Sequence, residues 1–188
     1  AHEPALLKAK REQAFKAYGD IAIPTNRDEE YRRTDPTTFR FGRYSRLETL
    51  KAVDSLPETE MDASFDIVIS VTDTSYAIND RSGVLAAEKI IVCSLQEAAE
   101  KYPEKVEAYL QGSAAPEEQR KYLELNNAFW NIGFFVFVPA KVELEKGILI
   151  RYHHESENTA LLPRLVVVAE QQSRFSIVER FYSEHQTP

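Results

Sequence analysis

An α+β amino-terminal domain that runs into the first coils of a β-solenoid is the fold class predicted by this sequence. Three observations predict it. Apolar residues at helical spacing dominate both ends of residues 1–130, with strand-like runs between them. From Phe134 onward the pattern is β throughout. Two stretches of that β part also look alike, each an apolar run, a polar turn and an alternating strand. Aligning Val136 with Val166 gives a repeat of roughly 30 residues, the size of a solenoid turn that buries its face on the next. The division that follows is a helical and α+β domain over 1–130 and the start of the solenoid over 131–188. A stable solenoid needs about three or more turns and a cap. The sequence stops at Gln186-Thr187-Pro188 after two, so the solenoid is expected to be truncated, the chain being an N-terminal fragment of a longer protein.

The elements follow in order. Leu7, Ala14, Phe15 and Tyr18 share one helical face, and Gly19 is expected to stop that helix. Pro24 and Asp35-Pro36 bracket a polar stretch of mixed charge, a structured loop or short helix. Leu47, Leu50 and Val53 then suggest a second short helix. Residues 65–71, 75–79 and 89–93 read as strands, with Arg81-Ser82-Gly83 as a turn. Ser94, with Glu97 three residues on, is a capping box that opens a helix. Its apolar face runs from Leu95 to Leu110, Pro103 should kink or split it, and Gly112 should close it. Pro116-Glu117-Glu118 begins a further helix, with Tyr122, Leu125 and Phe129, that ends near Gly133. The β part comprises 134–138, the even-spaced Val142, Leu144, Ile148 and Ile150, then 164–169 and 175–181.

Composition removes several function classes. The six glycines of the 188 residues stand singly, so no glycine-rich phosphate cradle is present and the common modes of ATP or dinucleotide binding are disfavoured. A single cysteine, Cys93, rules out an internal disulfide and a Cys₄ or Cys₂His₂ metal site within the chain. It fits a reducing, cytoplasmic setting. A net charge of −7 disfavours nucleic acid and anionic membrane as partners. No apolar run approaches the ~18 residues of a membrane span. The start, Ala1-His2-Glu3-Pro4, lacks the basic-then-apolar layout of a secretory signal and an initiator Met, which reads as processing or trimming.

Few residues invite chemistry. His153-His154-Glu155-Ser156-Glu157 is the densest set of metal-ligand types, although neighbouring side chains on a strand point to opposite faces and a solvated loop explains them equally. Asp28-Glu29-Glu30 offers carboxylates for acid–base work, but Arg27, Arg32 and Arg33 beside them suit a surface ion-pair network. Cys93 reads as a small buried hydrophobe, or as a reactive thiol if the helix start beside it lowers its pKa. Phe129, Trp130, Phe134, Phe135 and Phe137 form an aromatic cluster that suits a core or a binding surface. No G-x-S-x-G, H-E-x-x-H or acidic Ca²⁺ loop occurs.

One run is more specific. Residues 123–139, LELNNAFWNIGFFVFVP, resemble the entrance to the β-helix core of the SufB/SufD family of iron–sulfur cluster assembly scaffolds, where a helix, a glycine and a hydrophobic strand end in Val-Pro. The likeness continues through residues 142–148, 163–170 and 176–181, except that Gly147 stands where the family commonly has proline. Residues 24–35 resemble the family's N-terminal segment, with Arg33 replacing a tyrosine, and Gly83-Val84 to Ala98 resembles its glycine–valine and small-helix element. The extended N-terminal region is closer to SufD than to SufB.

The resemblance implies a right-handed parallel β-helix and a non-enzymatic scaffold role. It implies a SufB-like scaffold and a SufC-like ABC ATPase as partners of the full-length protein, with a homodimer also possible and no nucleic acid or membrane partner. The cluster would be held transiently in the full complex by a late Cys or His beyond Pro188. No catalytic, cofactor-binding or metal residue is therefore assigned in this chain, and Cys93 is not promoted to a cluster ligand. Two alternatives stand beside this reading. One is a β-helix enzyme acting on polysaccharide through Glu143, Glu145, Arg151 and Glu179, residues that equally suit the polar face of alternating strands. The other is a plain dimerisation module formed by open strand edges.

Overall fold

The computed structural model describes residues 3–48, 50–110 and 116–183. The expected helix stop at Gly112, the start at Ala1-His2 and the final Gln186-Thr187-Pro188 lie outside the described residues.

Helix α1 spans Ala5–Asp20 and buries Leu7 and Ala14, while Phe15, expected on the same face, is 59% exposed. Gly19 lies inside the last turn and does not end the helix. The chain leaves at Ile21, and the Lys121 ammonium donates to the carbonyls of Tyr18 and Ile21 at 2.5 and 2.7 Å. A distant lysine thus satisfies orphan carbonyls that a terminal glycine motif would otherwise take.

Short 3₁₀ turns at Glu29–Tyr31, Pro36–Thr38 and Phe41–Arg43 carry the polar stretch onward. The short helix expected around Leu47, Leu50 and Val53 is absent. Two-residue strands β1 (Ser45–Arg46) and β2 (Lys51–Ala52) take its place. The backbone there bonds to distant partners: Ser45 donates to the Asn158 carbonyl at 2.8 Å, Lys51 to Thr74 at 3.0 Å and Val53 to Tyr76 at 2.9 Å. Leu47 and Leu50 are buried from this extended path, and Val53 is exposed.

Strands β3 (Ile67–Val71) and β4 (Ser75–Asp80) pair antiparallel, and helix α2 (Val84–Ala87) leads to β5 (Ile91–Ser94). Ser94 caps α3 (Leu95–Lys101), its hydroxyl accepting from the Glu97 N–H at 3.1 Å. The Glu97 carboxylate turns away to Lys101 at 2.7 Å, so the cap is the serine half of the expected box. Pro103 splits the helix as expected: Tyr102 leaves helical geometry and α4 (Pro103–Val106) starts at the proline. Helix α5 (Glu117–Phe129) ends four residues before Gly133, because Trp130 is already extended.

The remaining strands are β6 (Ile132–Val138), β7 (Ile148–His153), β8 (Thr159–Ala160), β9 (Pro163–Ala169) and β10 (Ile177–Tyr182). They join the earlier strands in sheets of order β10-β7-β3-β4-β2, β5-β6-β9 and β1-β8. Strands from 67–94 and from 132–182 therefore share both larger sheets. The core between these sheets holds Ile67, Ile69 and Val71 of β3, Phe134 and Val136 of β6, and Ile148 and Ile150 of β7. A second core lies between β5-β6-β9 and the helices, with Leu7, Cys93, Leu95, Trp130, Phe135 and Phe137. Every residue of β6 is buried because alternate side chains enter different cores, which explains its continuous apolar run. Gly133 sits where that strand meets the helices, and a Cβ there would lie 3.0 Å from Leu95 Cβ and Trp130 Cζ3.

Candidate functional site

The feature with the clearest capacity to engage another chain is the outer end of a two-unit strand stack. The first unit is β6, a turn and β7; the second is β9, a turn and β10. All seven residues of β6 pair in parallel with β9, from Ile132 opposite Pro163 to Val138 opposite Ala169. Strand β7 pairs in parallel with β10, from Ile148 opposite Ile177 to His153 opposite Tyr182. The offset is 31 residues at Ile132–Pro163 and 29 at Ile148–Ile177. The sequence repeat of roughly 30 is present, but its register places Val136 opposite Val167 and not Val166.

The turns stack as well. Leu144 donates to the Arg174 carbonyl at 2.9 Å, and Arg174 donates back to Val142 at 2.9 Å. Lys141 and Gln172, equivalent by that offset, both have positive φ, 65° and 62°. At the opposite corner, buried Asn131 donates to the Ala160 carbonyl at 2.6 Å and accepts from the Leu162 N–H at 2.9 Å. Tyr152 of β7 lies flat on Phe181 of β10, 4.6 Å between ring centres, and donates its hydroxyl to Glu179 at 3.1 Å. Burial, then the charge of Glu179, pushes the Tyr152 phenol well above its ordinary pKa, so it remains a donor.

On the inner side the first unit is covered: β5 pairs with β6 and β3 pairs with β7. On the outer side β9 and β10 are terminal strands of their sheets among the described residues. They present Val167, Val178, Phe181 and Tyr182 at 38, 37, 62 and 40% exposure. Unpaired, partly apolar edges of this kind accept a further strand.

The residues singled out in the sequence do not assemble around one point. His153 ends β7 on the surface, its Nε2 3.2 Å from Glu155. His154 is turned inward, with Nδ1 2.6 Å from Asp73 Oδ1 and Nε2 3.2 Å from the Thr159 carbonyl oxygen. Asp73 also accepts the N–H groups of Glu155 and Ser156 at 2.8 and 2.6 Å, which makes this loop a carboxylate-pinned turn. Burial opposes the charge on Asp73, but these donors outweigh it and hold the carboxyl below its usual range. No group of three or more His, Cys, Asp or Glu is arranged to hold a metal ion among the described residues.

Asp28 accepts from the Thr25 N–H at 2.6 Å, and Glu29 pairs with Arg32 at 3.3 Å on the surface. Cys93 is buried against the helices; burial first, then the charge of Glu97, pushes its thiol up to about 12, the reverse of an activated nucleophile. Trp130, Phe134, Phe135 and Phe137 are core, divided between the two sides of β6, whereas Phe129 is half-buried and stands edge-on to exposed Phe15 at 5.7 Å. Arg151 is held by buried Asp62 at 3.1 Å and by Ser70 at 3.0 Å. Glu143 faces Arg174 at 3.9 Å, Glu145 is exposed, and Glu179 serves Tyr152. Each of Arg151, Glu143 and Glu179 thus has a partner of its own outside the proposed set of four.

Sequence reasoning passed over Asp62, Asp66 and Asp73, the carboxylates that tie the amino-terminal strands to the first unit. Asp66 accepts the N–H groups of Lys146 and Gly147 at 2.9 and 3.1 Å and the Ser82 hydroxyl at 2.8 Å. A signal existed: Asp66 and Asp73 flank the apolar run of β3, and Thr59 stands three residues before Asp62, the spacing of a capping box.

The sequence matches the family described as the SufBD protein N-terminal region over residues 1–150. This chain belongs to the SufBD family. The iron–sulfur cluster assembly protein SufD of Bacillus subtilis is 28% identical over 194 residues, covering 96% of this chain and 42% of that protein. A SufBD family protein of Synechocystis is 30% identical over 95 residues, covering 50% of this chain and 20% of its own length. A further SufBD family protein, from Arabidopsis thaliana and described as chloroplastic, is 29% identical over 124 residues, covering 66% of this chain and 21% of its own length. The SufBD chain thus spans less than half the length of these relatives. No helix among its described residues is long and apolar enough to cross a membrane.

Proposed function

We propose that this SufBD chain is a scaffold component of an iron–sulfur cluster assembly complex, most like SufD, that works by holding partners and not by bond-making chemistry of its own. The observation that carries the reading is the family match over residues 1–150. The two stacked units are, in this reading, the first coils of a right-handed parallel β-helix, and the edges of β9 and β10 are where a further coil stacks. The parallel register and the matched left-handed residues Lys141 and Gln172 support it. The iron–sulfur cluster is cargo, held transiently elsewhere in the assembly. The partners are a SufB-like scaffold and a SufC-like ATPase, the second supplying the nucleotide site for which this chain has no glycine-rich cradle. A reducing compartment, here the cytoplasm, suits the lone buried thiol.

The test is affinity purification of the protein from its own cells under reducing conditions. Co-elution of a SufB-like protein and an ABC ATPase is expected. Recovery of the protein without either would overturn the reading.

A further inference from the structure

Between α1, α5 and the start of β9 lies a cavity of about 340 Å³ whose charge opposes that of the whole molecule. The chain carries a net −7, yet the cavity is lined by Lys10, Arg11, Arg120 and Arg164 against one carboxylate, Glu124. Its size falls at the lower end of small-ligand pockets, about 300–1,000 Å³.

The cations there are partly desolvated. The Arg11 side chain is 11% exposed; its Nε donates to Glu3 at 2.6 Å, its Nη1 donates to the Ala128 carbonyl at 3.1 Å, and its guanidinium lies 3.8 Å over the Trp130 ring. Arg164 is half-buried and donates to the neutral amide oxygen of Asn127. Glu124, the one acid on the wall, accepts from the Asn127 amide at 3.2 Å. Neither Arg164 nor Lys10 has an ion-pair partner among the described residues. Burial, then the charge of Arg11, lowers the pKa of Arg164. Arg11 already has Glu3, but the partly buried guanidinium of Arg164 has no ion pair and only the more distant charge of Glu124 to favour it, and an anion bound between it and Lys10 removes part of that cost. The planar fork of arginine matches the oxygens of phosphate and carboxylate.

We propose that this cavity binds a compact oxyanion, phosphate or carboxylate in character, between Lys10, Arg11 and Arg164. The site lies on the helical side of the fold, and Trp130, the only tryptophan of the chain, reports on it through Arg11.

The experiment is a titration of Trp130 fluorescence and of the melting temperature with inorganic pyrophosphate and, separately, citrate, up to about 10 mM, against sodium chloride of equal ionic strength. A saturable response to one or both oxyanions is expected, and the stronger arm identifies the headgroup chemistry. Loss of one charged hydrogen-bonding group should weaken Kd about tenfold or more in Arg164→Gln. Lys10→Gln provides a milder second variant should Arg164→Gln fail to fold. Arg174→Gln, on the exposed turn, should bind as the parent does. Absence of any response beyond chloride in both readouts overturns the proposal, as does an unchanged response in Lys10→Gln and a folded Arg164→Gln. Polyglutamate is titrated as a third arm, and a saturable response to it with none to pyrophosphate or citrate also overturns the proposal, pointing to a protein segment.

Discussion

The two strand–turn–strand units share a backbone plan and differ in what covers them. In the first, all seven residues of β6 are buried and five of the six residues of β7 are buried or half-buried. In the second, β9 buries only Val166 outright and β10 buries nothing outright. The sequences do not foretell this difference, since both units combine an apolar run with an alternating strand. The neighbours decide it: β3 and β5 close the inner side of the first unit, whereas nothing among the described residues pairs with the outer side of the second. Burial in a stacked architecture belongs to the position in the stack and not to the repeat itself.

Equivalent truncations should expose that difference most strongly. Phe134 is fully buried, and its register partner Leu165 is only half-buried against the same core. Phe134→Ala should cost about 3–5 kcal/mol and Leu165→Ala about 1–2 kcal/mol, measured by urea unfolding. Equal costs would show that the second unit is as well enclosed as the first.

The repeat was legible in sequence because it is written in the period of apolar residues, from Phe134 to Phe181. So were the strands around Ile67 and Ser75 and the split at Pro103. The path from Ser45 to Val53 was not, because its hydrogen bonds come from Thr74, Tyr76 and Asn158, and local spacing carries no information about such partners. The pinning role of Asp66 and Asp73 was hidden for the same reason: each accepts N–H groups from more than 75 residues away, at 146–147 and 155–156. The family was legible only through resemblance, since no residue set among the described residues forms a recognisable reaction centre.

The point where the two units touch offers a second way to sharpen the comparison. Gly147 has φ +78°, and a Cβ there would stand 2.3 Å from Ser176 Oγ and 2.6 Å from its carbonyl oxygen. Gly83, at φ +70°, has nothing within 4 Å. Gly83→Ala should cost about 1–2 kcal/mol for the left-handed backbone alone, and Gly147→Ala distinctly more, because the backbone of the second unit must also move. Gly147→Pro should be worse still. Proline fixes φ near −65° and removes the N–H that Asp66 accepts, so it does not fit this turn.

Asp66 secures the covered side of the first unit, and its contribution should depend on pH. Burial raises the carboxyl, but the N–H groups of Lys146 and Gly147 and the Ser82 hydroxyl outweigh it and hold it below its ordinary value. A carboxyl depressed in the folded state contributes stability that is complete above the unfolded value of about 4 and is lost as pH falls through the folded one. Asp66→Asn should cost about 1–3 kcal/mol at pH 7, and the gap to the parent should narrow on acidification. Urea midpoints between pH 7 and pH 3 check this; a constant gap would mean that hydrogen-bond geometry and not charge carries the effect.

The smallest effect on stability is expected at the outer edge, which no described strand pairs with, and there it separates the units most cleanly. Val178 lies opposite Leu149 in the β7–β10 ladder, yet Leu149 is 1% exposed and Val178 is 37% exposed. Lysine at 149 must bury a charge without a partner and should unfold the chain. Val178→Lys should stay within about 0.5 kcal/mol of the parent, since the side chain reaches water. A lysine on an open edge also discourages edge-to-edge pairing. Light scattering across a concentration series should therefore show less self-association for Val178→Lys than for the parent. If Val178→Lys destabilises the chain as much as Leu149→Lys, the outer side of the second unit is already covered, and the contrast between the two units disappears.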